Sequence, residues 1–324
     1  MVAKVDPVAL PGPVPATRRS RSAGPPVEID RLNAVKARAG RWWDLTRQAM
    51  RNPTAAAGAI IIFLIVMMAL FAPLLIEPNT PDAYQVPRDW ANADAPPGTE
   101  GHLLGTAGDG GDVLYGVVWG ARSSLRLALT VVSLVALIGV LYGSISAVLG
   151  GKWDEMMMRG VDVFQSIPGL IFALAIAGTL GPSFRNIILA LVVTNWAPFA
   201  RLIRGEVLLV KQSEYVDAGR VLGDKRWRIY LKDILPNSFT PIIVLSTMTL
   251  GKVVLTGATL SFLGLAEVGL AEWGNLVASG QTGLLAGYWW TATFGGGMVF
   301  IWALSCNLLG DGLRDVFDPR SETR

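Results

Sequence analysis

Four uncharged apolar windows, each long enough to cross a lipid bilayer as a helix, limit what this chain can fold into. A bilayer core about 30 Å thick requires roughly 20 predominantly apolar residues in helical conformation. Only 16% of the residues are charged, whereas soluble domains carry about 25% charged residues. The sequence therefore predicts an all-α membrane protein. The four windows are residues 54–76, 127–151, 163–184 and 289–310.

Two further windows are each interrupted by a cation, and they bring the predicted number of transmembrane helices to six. Residues 186–203 contain Arg201 near one end, where a long side chain can extend to the interface. Residues 238–263 contain Lys252 near the middle, where a cation costs about 2.5–3.5 kcal/mol on insertion scales. Such a residue usually faces the bundle interior or water. Lys252 could line a translocation path and contact a substrate carboxylate or a partner acid, or it could snorkel or bind a backbone carbonyl.

The distribution of Lys and Arg predicts that both chain termini are cytoplasmic, because these residues accumulate in cytoplasmic loops. Residues 77–121 contain Arg88 as their only basic residue, and residues 264–290 contain none, so both segments are predicted to be external. The remaining loops are basic. Their cations lie in the N-terminal tail, at Lys152 and Arg159, throughout residues 201–237, and at Arg314, Arg320 and Arg324.

These boundaries divide the chain into four parts. Residues 1–50 lack the apolar core of a signal peptide and combine Pro with Arg and Ser, which predicts a largely disordered cytoplasmic tail with a short amphipathic helix. Residues 51–122 hold the first span and an external loop. Residues 123–318 form the core domain with the cytoplasmic loop at 201–237, and residues 319–324 form a second cytoplasmic tail.

Composition and motifs argue against several function classes. The chain has one Cys, Cys306, and one His, His102, which are too few for a disulfide framework or a metal cluster of such ligands. Residues 108–111 are rich in Gly but no Lys-Ser/Thr follows, so they are not a phosphate-binding loop. The basic runs alternate with apolar segments, which does not favour nucleic acid. We expect no catalytic residues, cofactor or metal on this chain.

The first half of residues 214–237 has the pattern of a short amphipathic helix with a defined end. Tyr215, Ala218, Gly219 and Leu222 follow the i, i+3, i+4, i+7 spacing of one helix face. Gly223 follows as a stop, since glycine adopts the left-handed conformation without steric cost. The small Ala218 and Gly219 would allow close backbone approach.

The second half predicts another short helix, with Asp224 as its N-cap and Pro236 at its end. Its apolar residues have the same spacing. They are Trp227, Tyr230, Leu231 and Ile234. Either the two faces rest on the span ends and the headgroup layer, or the pair of helices is a rigid lever that docks into a partner.

This loop resembles the EAA loop of ABC importer permeases, whose pattern is Glu-Ala-Ala, three residues, Gly, and later a hydrophobic-x-Pro ending. The matching residues here are Asp217-Ala218-Gly219, Gly223 and Ile234-Leu235-Pro236. The resemblance covers about residues 52–320 and is closest to the C-type permeases of dipeptide, oligopeptide and nickel importers. Supporting stretches are Asn52-Pro53, residues 102–106, 120–122, 166–168, 260–264 and 273–275, and residues 310–315.

The resemblance implies the type I importer permease fold and a position in the bacterial inner membrane as a multi-pass protein. It also implies a coupling role for a set of loop residues, which would insert into a cleft on ATPase subunits. These residues are Glu214, Asp217, Ala218, Gly219, Gly223 and Pro236. Two departures concern other parts of the family pattern. Ala107 replaces an Asp after Gly105-Thr106, and Gly257 stands where a Glu is common.

The function implied is that of a non-catalytic subunit that forms half of the transmembrane path for dipeptides or oligopeptides. Its expected partners are a second, B-type permease subunit, two ATPase subunits that bind ATP and Mg, an external substrate-binding protein and membrane lipid. The same architecture could import nickel, glutathione or another small solute. A self-contained secondary transporter is the other alternative, but six spans without an obvious inverted repeat disfavour it.

Overall fold

The structure of the chain is a computed structural model that describes residues 52–78 and 82–317. The predictions for residues 1–50 and 319–324 lie outside this part. Ten helices are found within it. They are α1 (Pro53–Leu75), α2 (Val113–Leu149), α3 (Gly151–Ser166), α4 (Gly169–Leu180), α5 (Phe184–Val210), α6 (Glu214–Val221), α7 (Arg226–Ile229), α8 (Thr240–Leu260), α9 (Trp273–Leu284) and α10 (Trp290–Phe317). Short π and 3₁₀ segments at Tyr230–Ile234, Leu235–Ser238 and Ser261–Leu265 extend α7 and α8.

Five helices are long and apolar enough to cross a membrane, namely α1, α2, α5, α8 with its extension, and α10. The predicted windows are confirmed for all five, but α2 begins at Val113, well before the window at residue 127. Two cations inside α2 lie against aromatic rings, which explains why they do not end the helix. The Arg122 guanidinium is 5.3 Å from the Trp119 ring, and that of Arg126 is 6.0 Å from the Phe184 ring.

The third predicted span, residues 163–184, is wrong as a continuous helix. α3 and α4 are separate helices that meet at an angle of 83°. Pro168 lacks a backbone donor and disfavours the helical conformation of Ile167, which is extended (φ −87°, ψ 128°). We call this interruption at Ile167 and Pro168 the break. The broken pair is the sixth candidate crossing, so that six spans are confirmed only if the pair counts as one.

The bundle has two ends, and contacts between distant parts of the sequence define them. At the loop end, Lys211 Nζ donates to the Ala147 carbonyl oxygen (3.4 Å), which joins the end of α5 to the end of α2. At the opposite end, which we call the cap end because residues 82–112 cover it, the Ser183 amide donates to the Leu265 carbonyl oxygen (3.2 Å), which joins the start of α5 to the end of α8. α2 therefore reaches the loop end and α5 starts at the cap end. The pair α3 and α4 must connect the two.

α2 and α5 form the centre of the bundle, and their backbones lie unusually close together. A Cβ atom at Gly139 would overlap Phe199, and one at Gly143 would overlap the Ala200 carbonyl oxygen. Fully buried Leu127, Val131, Val135, Ile187 and Leu191 pack in the same cluster. Two helices can lie this close only where one of them carries glycine.

Residues 82–112 form a cap at the cap end and hold together through short bridges and polar contacts. Its one histidine joins two carboxylates, with His102 Nδ1 2.7 Å from Asp112 Oδ2 and Nε2 3.4 Å from Asp89 Oδ2. Trp290 Nε1 donates to the Thr106 carbonyl oxygen (2.8 Å) and fixes the cap to α10. The hydrogen bond that His102 donates to Asp112 raises the pKa of His102, whereas hydrogen bonds from Asn92 and His102 lower the pKa of Asp89.

The segment 264–290, predicted only as an external loop, contains a helix, α9. Its first residue, Trp273, is fully buried, and its Nε1 donates to the Val117 carbonyl oxygen (3.0 Å). The Trp273 ring occupies the space beside Gly120 where a Cβ would collide with it. α9 is therefore held against α2 by packing. The segment lacks basic residues but contains Glu267 and Glu272, and its apolar stretches between the glycines are too short to have indicated a span.

Candidate functional site: the elbow loop and an intramembrane cavity

The turn between α6 and α7 is closed by the two hydrogen bonds of a Schellman motif. The Asp224 amide donates to the Gly219 carbonyl oxygen (3.1 Å), and the Gly223 amide donates to the Arg220 carbonyl oxygen (3.0 Å). Gly223 has a φ of 81°, in the left-handed region where a side chain is strained. The predicted glycine stop is confirmed. We call residues 214–238 the elbow loop.

The inner side of the elbow loop belongs to the core of the bundle. Val216, Ile229 and Ile234 are buried in the same cluster as Phe199 and Ile203 of α5. A Cβ atom at Gly219 would lie 3.7 Å from the Ile229 side chain, an ordinary van der Waals distance. The loop is therefore joined to the spanning helices by packing, and a movement of one would be transmitted to the other.

Several details of the second helix differ from the prediction. Asp224 does not cap it, because the four-residue helix α7 begins at Arg226 and Asp224 Oδ1 lies 3.5 Å from Arg228 Nη1 instead. Pro236 does not end the helical path either. The π segment ends at Ile234, and Pro236 occupies the first turn of the 3₁₀ segment that follows, where a missing amide donor costs nothing.

The outer side of the elbow loop exposes apolar side chains that no described residue covers. The predicted faces are wrong in part, because Val216 and Ile229 are buried in place of Tyr215 and Trp227. The exposed residues are Val221 (88%), Leu222 (83%), Trp227 (63%) and Leu231 (52%). Four large apolar side chains on one short loop are typical of a protein–protein contact.

The predicted coupling residues lie on or beside this outer side. Glu214 and Asp217 are in the first turn of α6, where negative charge is favoured by the helix dipole. Asp217 Oδ1 accepts a hydrogen bond from Arg220 Nη1 (2.6 Å). Ala218 and Pro236 are exposed. The structure thus brings together Glu214, Asp217, Ala218, Gly219 and Gly223, with Pro236 at the far end of the same loop.

The end of α5 that precedes the elbow loop is joined to α3 through an ion pair that sequence reasoning did not find. Arg204 of α5 donates to Asp154 of α3 through Nε (2.6 Å) and Nη2 (2.5 Å), a bidentate contact. Ser146 donates a further hydrogen bond to the same carboxylate. Arg201 pairs in a similar way with Asp162. From the sequence, the basic residues of 201–237 indicated only the topology of the chain, because the sequence does not show that α3 folds back along α5.

Lys252 faces a cavity of about 340 Å³ that is lined by α4, α5 and α8. The exposed face of α8 here carries Lys252, Leu255, Thr256 and Thr259, which follow one helical stripe. The remaining lining residues come from the other two helices. They are Gly169, Leu170, Thr194 and Asn195. No carboxylate lies within ion-pairing distance of Lys252 among residues 52–78 and 82–317.

The sequence contained a signal for part of this cavity. Thr256 and Thr259 lie four and seven residues after Lys252, a spacing that places all three on one face. Thr194 and Asn195 are distant in sequence, and only the packing of α5 beside α8 brings them to the cavity. A cation, three hydroxyl groups and an amide in a spanning region form a polar surface inside an apolar bundle.

Comparisons with known proteins agree with this architecture. Residues 139–323 match the model of the binding-protein-dependent transport system inner membrane component family. Residues 40–97 match the N-terminal transmembrane domain of oligopeptide transport permease C. The chain belongs to this family of inner membrane permeases. It is therefore a multi-pass inner membrane protein of a binding-protein-dependent transport system, and the resemblance of its sequence motifs is confirmed.

Curated relatives cover most of this permease. It is 37% identical over 273 residues to the probable D,D-dipeptide transport system permease of Escherichia coli K12, covering 83% of this chain and 89% of the relative. It is 37% identical over 280 residues to the oligopeptide transport system permease of Bacillus subtilis 168, and the match covers 86% of this chain and 90% of that relative. A glutathione transport system permease of Pectobacterium atrosepticum is 31% identical over 280 residues, with 86% and 91% covered.

Solved structures support the fold of the permease. The methionine ABC transporter MetNI in an inward-facing conformation has a chain that aligns with a TM-score of 0.52 and 19% identity, covering 64% of this chain and 98% of that chain. A second crystal form of the same transporter gives a TM-score of 0.51 and 20% identity, and the alignment covers 63% of this chain and 98% of that chain. The predicted all-α importer permease fold is confirmed, while the cytoplasmic position of both termini stays a prediction.

Proposed function

We propose that this permease forms half of the transmembrane path of an ATP-driven importer of dipeptides or oligopeptides. Its second half would be a B-type permease, and two ATPase subunits and an external substrate-binding protein would complete the complex. ATP and Mg would be bound by the ATPase subunits, and this chain would have no catalytic role. The names of the relatives in Escherichia coli and Bacillus subtilis support a peptide substrate.

The exposed apolar side of the elbow loop carries the proposal that the loop couples ATP hydrolysis to transport. Its outer residues are free for a partner, while its inner residues Val216, Ile229 and Ile234 are buried with the spanning helices. An ATPase cleft that closes on the outer side would therefore move α5 through the inner side. In this arrangement the elbow loop lies on the cytoplasmic side, in agreement with the basic residues of the loop.

Leu222→Asp tests the docking role without disturbing the fold, because Leu222 is 83% exposed. We expect that the ATPase subunits no longer co-purify with the variant and that uptake is lost. Leu285→Asp is the matched control, since Leu285 is 98% exposed at the opposite, cap end of the bundle. Full ATPase retention and transport in Leu222→Asp would exclude docking through this surface.

Gly223→Ala and Asp217→Arg separate the shape of the elbow from its charge. No atom lies within 4 Å of a Cβ at Gly223, so alanine acts only through the left-handed backbone, at about 1–2 kcal/mol. Asp217→Arg reverses a charge that now pairs with Arg220. We expect both variants to weaken ATPase association and to uncouple ATP hydrolysis from uptake. The measurement is ATP hydrolysed per substrate molecule imported.

We further propose that the Lys252 cavity lies on the translocation path and contacts a substrate carboxylate. A lysine without an ion-pair partner in a spanning helix is costly unless water or a ligand reaches it. Peptides carry a free α-carboxylate that an ammonium group can bind. Glutathione, the substrate in the name of one relative, also carries free carboxylates. The charge of the path therefore fits both solutes.

Lys252→Met tests this role in uptake assays with the reconstituted complex. We expect a decrease of about five- to tenfold for peptides with a free C-terminus, and a smaller decrease for C-terminally amidated peptides, because about 1 kcal/mol of interaction corresponds to roughly fivefold. Lys152→Met is the control, since Lys152 is exposed at the start of α3. Equal uptake by wild type and Lys252→Met would remove Lys252 from the path. Comparing dipeptides, oligopeptides, glutathione and nickel in the same assay identifies the substrate.

A further inference from the structure

A second cavity, of about 600 Å³, lies at the loop end between the spanning helices and the elbow loop. We call it the elbow cavity. It is separate from the Lys252 cavity and shares no residue with it. Its lining combines the ends of α2 and α5 with the inner side of the elbow. The lining residues are Val148, Val207, Lys211, Arg220, Asp224, Arg226, Ile229, Tyr230 and Ile234.

The charged part of the lining is cationic. Three cations, Lys211, Arg220 and Arg226, oppose one carboxylate, that of Asp224. That carboxylate is already engaged, since Asp224 Oδ1 lies 3.5 Å from Arg228 Nη1 outside the lining. Of the three cations, only Arg220 has a carboxylate within ion-pairing distance among the described residues, that of Asp217. Lys211 donates one long hydrogen bond to the Ala147 carbonyl oxygen (3.4 Å) and keeps two ammonium protons, so Lys211 and Arg226 can both bind an anion.

Apart from the Tyr230 hydroxyl, the rest of the lining is apolar. It lies at the level where the spanning helices end. Val148 is next to the last residue of α2, and Val207 is in the last turn of α5. Ile229 and Ile234 provide apolar surface from the elbow side. A ligand that fits must therefore combine an anionic group with hydrocarbon. A free phosphate ion would satisfy the cations but would leave the apolar surface unfilled.

We propose that the elbow cavity binds the headgroup phosphate of an anionic phospholipid. The phosphate contacts Lys211 and Arg226, and the first methylene groups of the acyl chains cover Val148 and the apolar residues behind it. Basic pockets between spanning helices at the membrane surface bind such headgroups in other membrane proteins. This site lies outside the proposed coupling surface, because its lining faces the bundle and the coupling residues face outward.

A lipid in this position would join two parts of the chain that move separately if the elbow changes its angle. Lys211 follows α5 directly, whereas Arg226 begins α7 beyond the Gly223 turn. A phosphate held by both cations would fix the distance between them. Occupancy of the cavity is therefore expected to order the elbow loop relative to the spanning helices.

The test is a lipid titration of the full chain, purified together with its partner subunits in detergent. Native mass spectrometry measures the affinity for phosphatidylglycerol and for phosphatidylcholine, which differ in net charge. We expect phosphatidylglycerol to bind more tightly. Each cation near a membrane surface contributes about fivefold to the binding of an anionic lipid. The double variant Lys211→Gln/Arg226→Gln should therefore lower the affinity for phosphatidylglycerol roughly 25-fold.

A matched double variant controls for the overall loss of charge. Lys225 and Lys232 are exposed residues of the same loop that do not line the cavity. Lys225→Gln/Lys232→Gln should therefore change the affinity by less than twofold. The single variant Arg226→Gln, in which an exposed side chain is replaced, should weaken binding about fivefold and keeps the test valid if the double variant does not fold.

Three outcomes would overturn the proposal. Equal loss of affinity in both double variants would reduce the effect to general surface charge. Equal affinity for phosphatidylglycerol and phosphatidylcholine would show that charge does not select the ligand. If inorganic phosphate alone displaced phosphatidylglycerol at millimolar concentration, the site would bind a free anion.

Discussion

Glu272 is a buried carboxyl group whose protonation is expected to control the stability of the cap end. Only 2% of the residue is exposed, and Ser261 Oγ donates to Oε2 at 3.1 Å. No cation lies within ion-pairing distance among the described residues. Glu272 precedes α9 and lies outside the five long spanning helices. Burial raises its pKa from an ordinary value of 4.5 to about 7.

The size and sign of the effect follow from these two pKa values. Between pH 4.5 and about 7 the folded chain keeps a proton that the unfolded chain releases. The free energy of unfolding therefore falls as the pH rises through this range, and this carboxyl adds no further change above it. At 1.36 kcal/mol for each pK unit, the total decrease is about 3 kcal/mol. Glu272→Gln removes the titrating proton and with it the decrease.

The measurement is the free energy of unfolding in mixed micelles, determined by denaturant titration from pH 4.5 to 8. The difference in free energy of unfolding between Glu272→Gln and wild type should change by about 3 kcal/mol in favour of the variant as the pH rises across this range. Glu267→Gln is the control, because it removes an exposed carboxyl five residues away. Its curve of unfolding free energy against pH should run parallel to that of wild type. Parallel curves for wild type and Glu272→Gln would refute the reasoning, because they would mean that the carboxyl is solvated in the folded chain.

Two further predictions concern packing and the cap. Gly143→Ala places a Cβ against the Ala200 carbonyl oxygen and should destabilise the chain by about 3 kcal/mol in a thermal unfolding assay. A Cβ at Gly178 would have no atom within 4 Å, so Gly178→Ala should stabilise α4 by up to about 1 kcal/mol in that assay. His102 has a raised pKa because of Asp112, so its stabilisation is present below its ordinary pKa and is lost as the pH rises through the raised value. Amide exchange in residues 82–112, corrected for its intrinsic pH dependence, should therefore increase over that range in wild type but not in His102→Gln.

The spans were predictable where charge marks their limits and were not where tertiary contacts satisfy a charge. The first window, residues 54–76, agrees with α1 within one residue at each end, because Arg51 and Glu77 flank it. α2 extends beyond its window because aromatic rings accommodate Arg122 and Arg126. No pattern in the sequence predicts these contacts between arginines and aromatic rings.

The elbow loop shows the same division between local and tertiary information. The Gly223 turn was predictable because its hydrogen bonds join residues that are close in sequence. The buried faces were not, because the position of α5 decides that Val216 and Ile229 point inward. The Asp224 cap failed for a local reason, since the side chain pairs with Arg228 and the helix begins later. The coupling role of these residues stays a prediction.

The Lys252 cavity was predictable only on one side. The lysine and its two threonine neighbours lie on one helix, so their common face follows from spacing. Thr194 and Asn195 join them through the packing of α5, and α4 contributes only because the third crossing is broken. The two carboxylates around His102 were equally hidden, since no regular helix or strand spacing relates them to His102 and only the fold of the cap brings the three residues together.

The break between α3 and α4 has a consequence for hydration of the bundle. Ile167 is extended and Pro168 carries no amide proton, so the helical hydrogen-bond ladder is interrupted here. Unpaired backbone groups at membrane depth are tolerated only inside protein or beside water. Gly169 and Leu170, directly after the break, line the cavity that holds Lys252. The interrupted backbone and the lysine ammonium thus share one requirement, and a single column of water inside the assembled transporter would satisfy both.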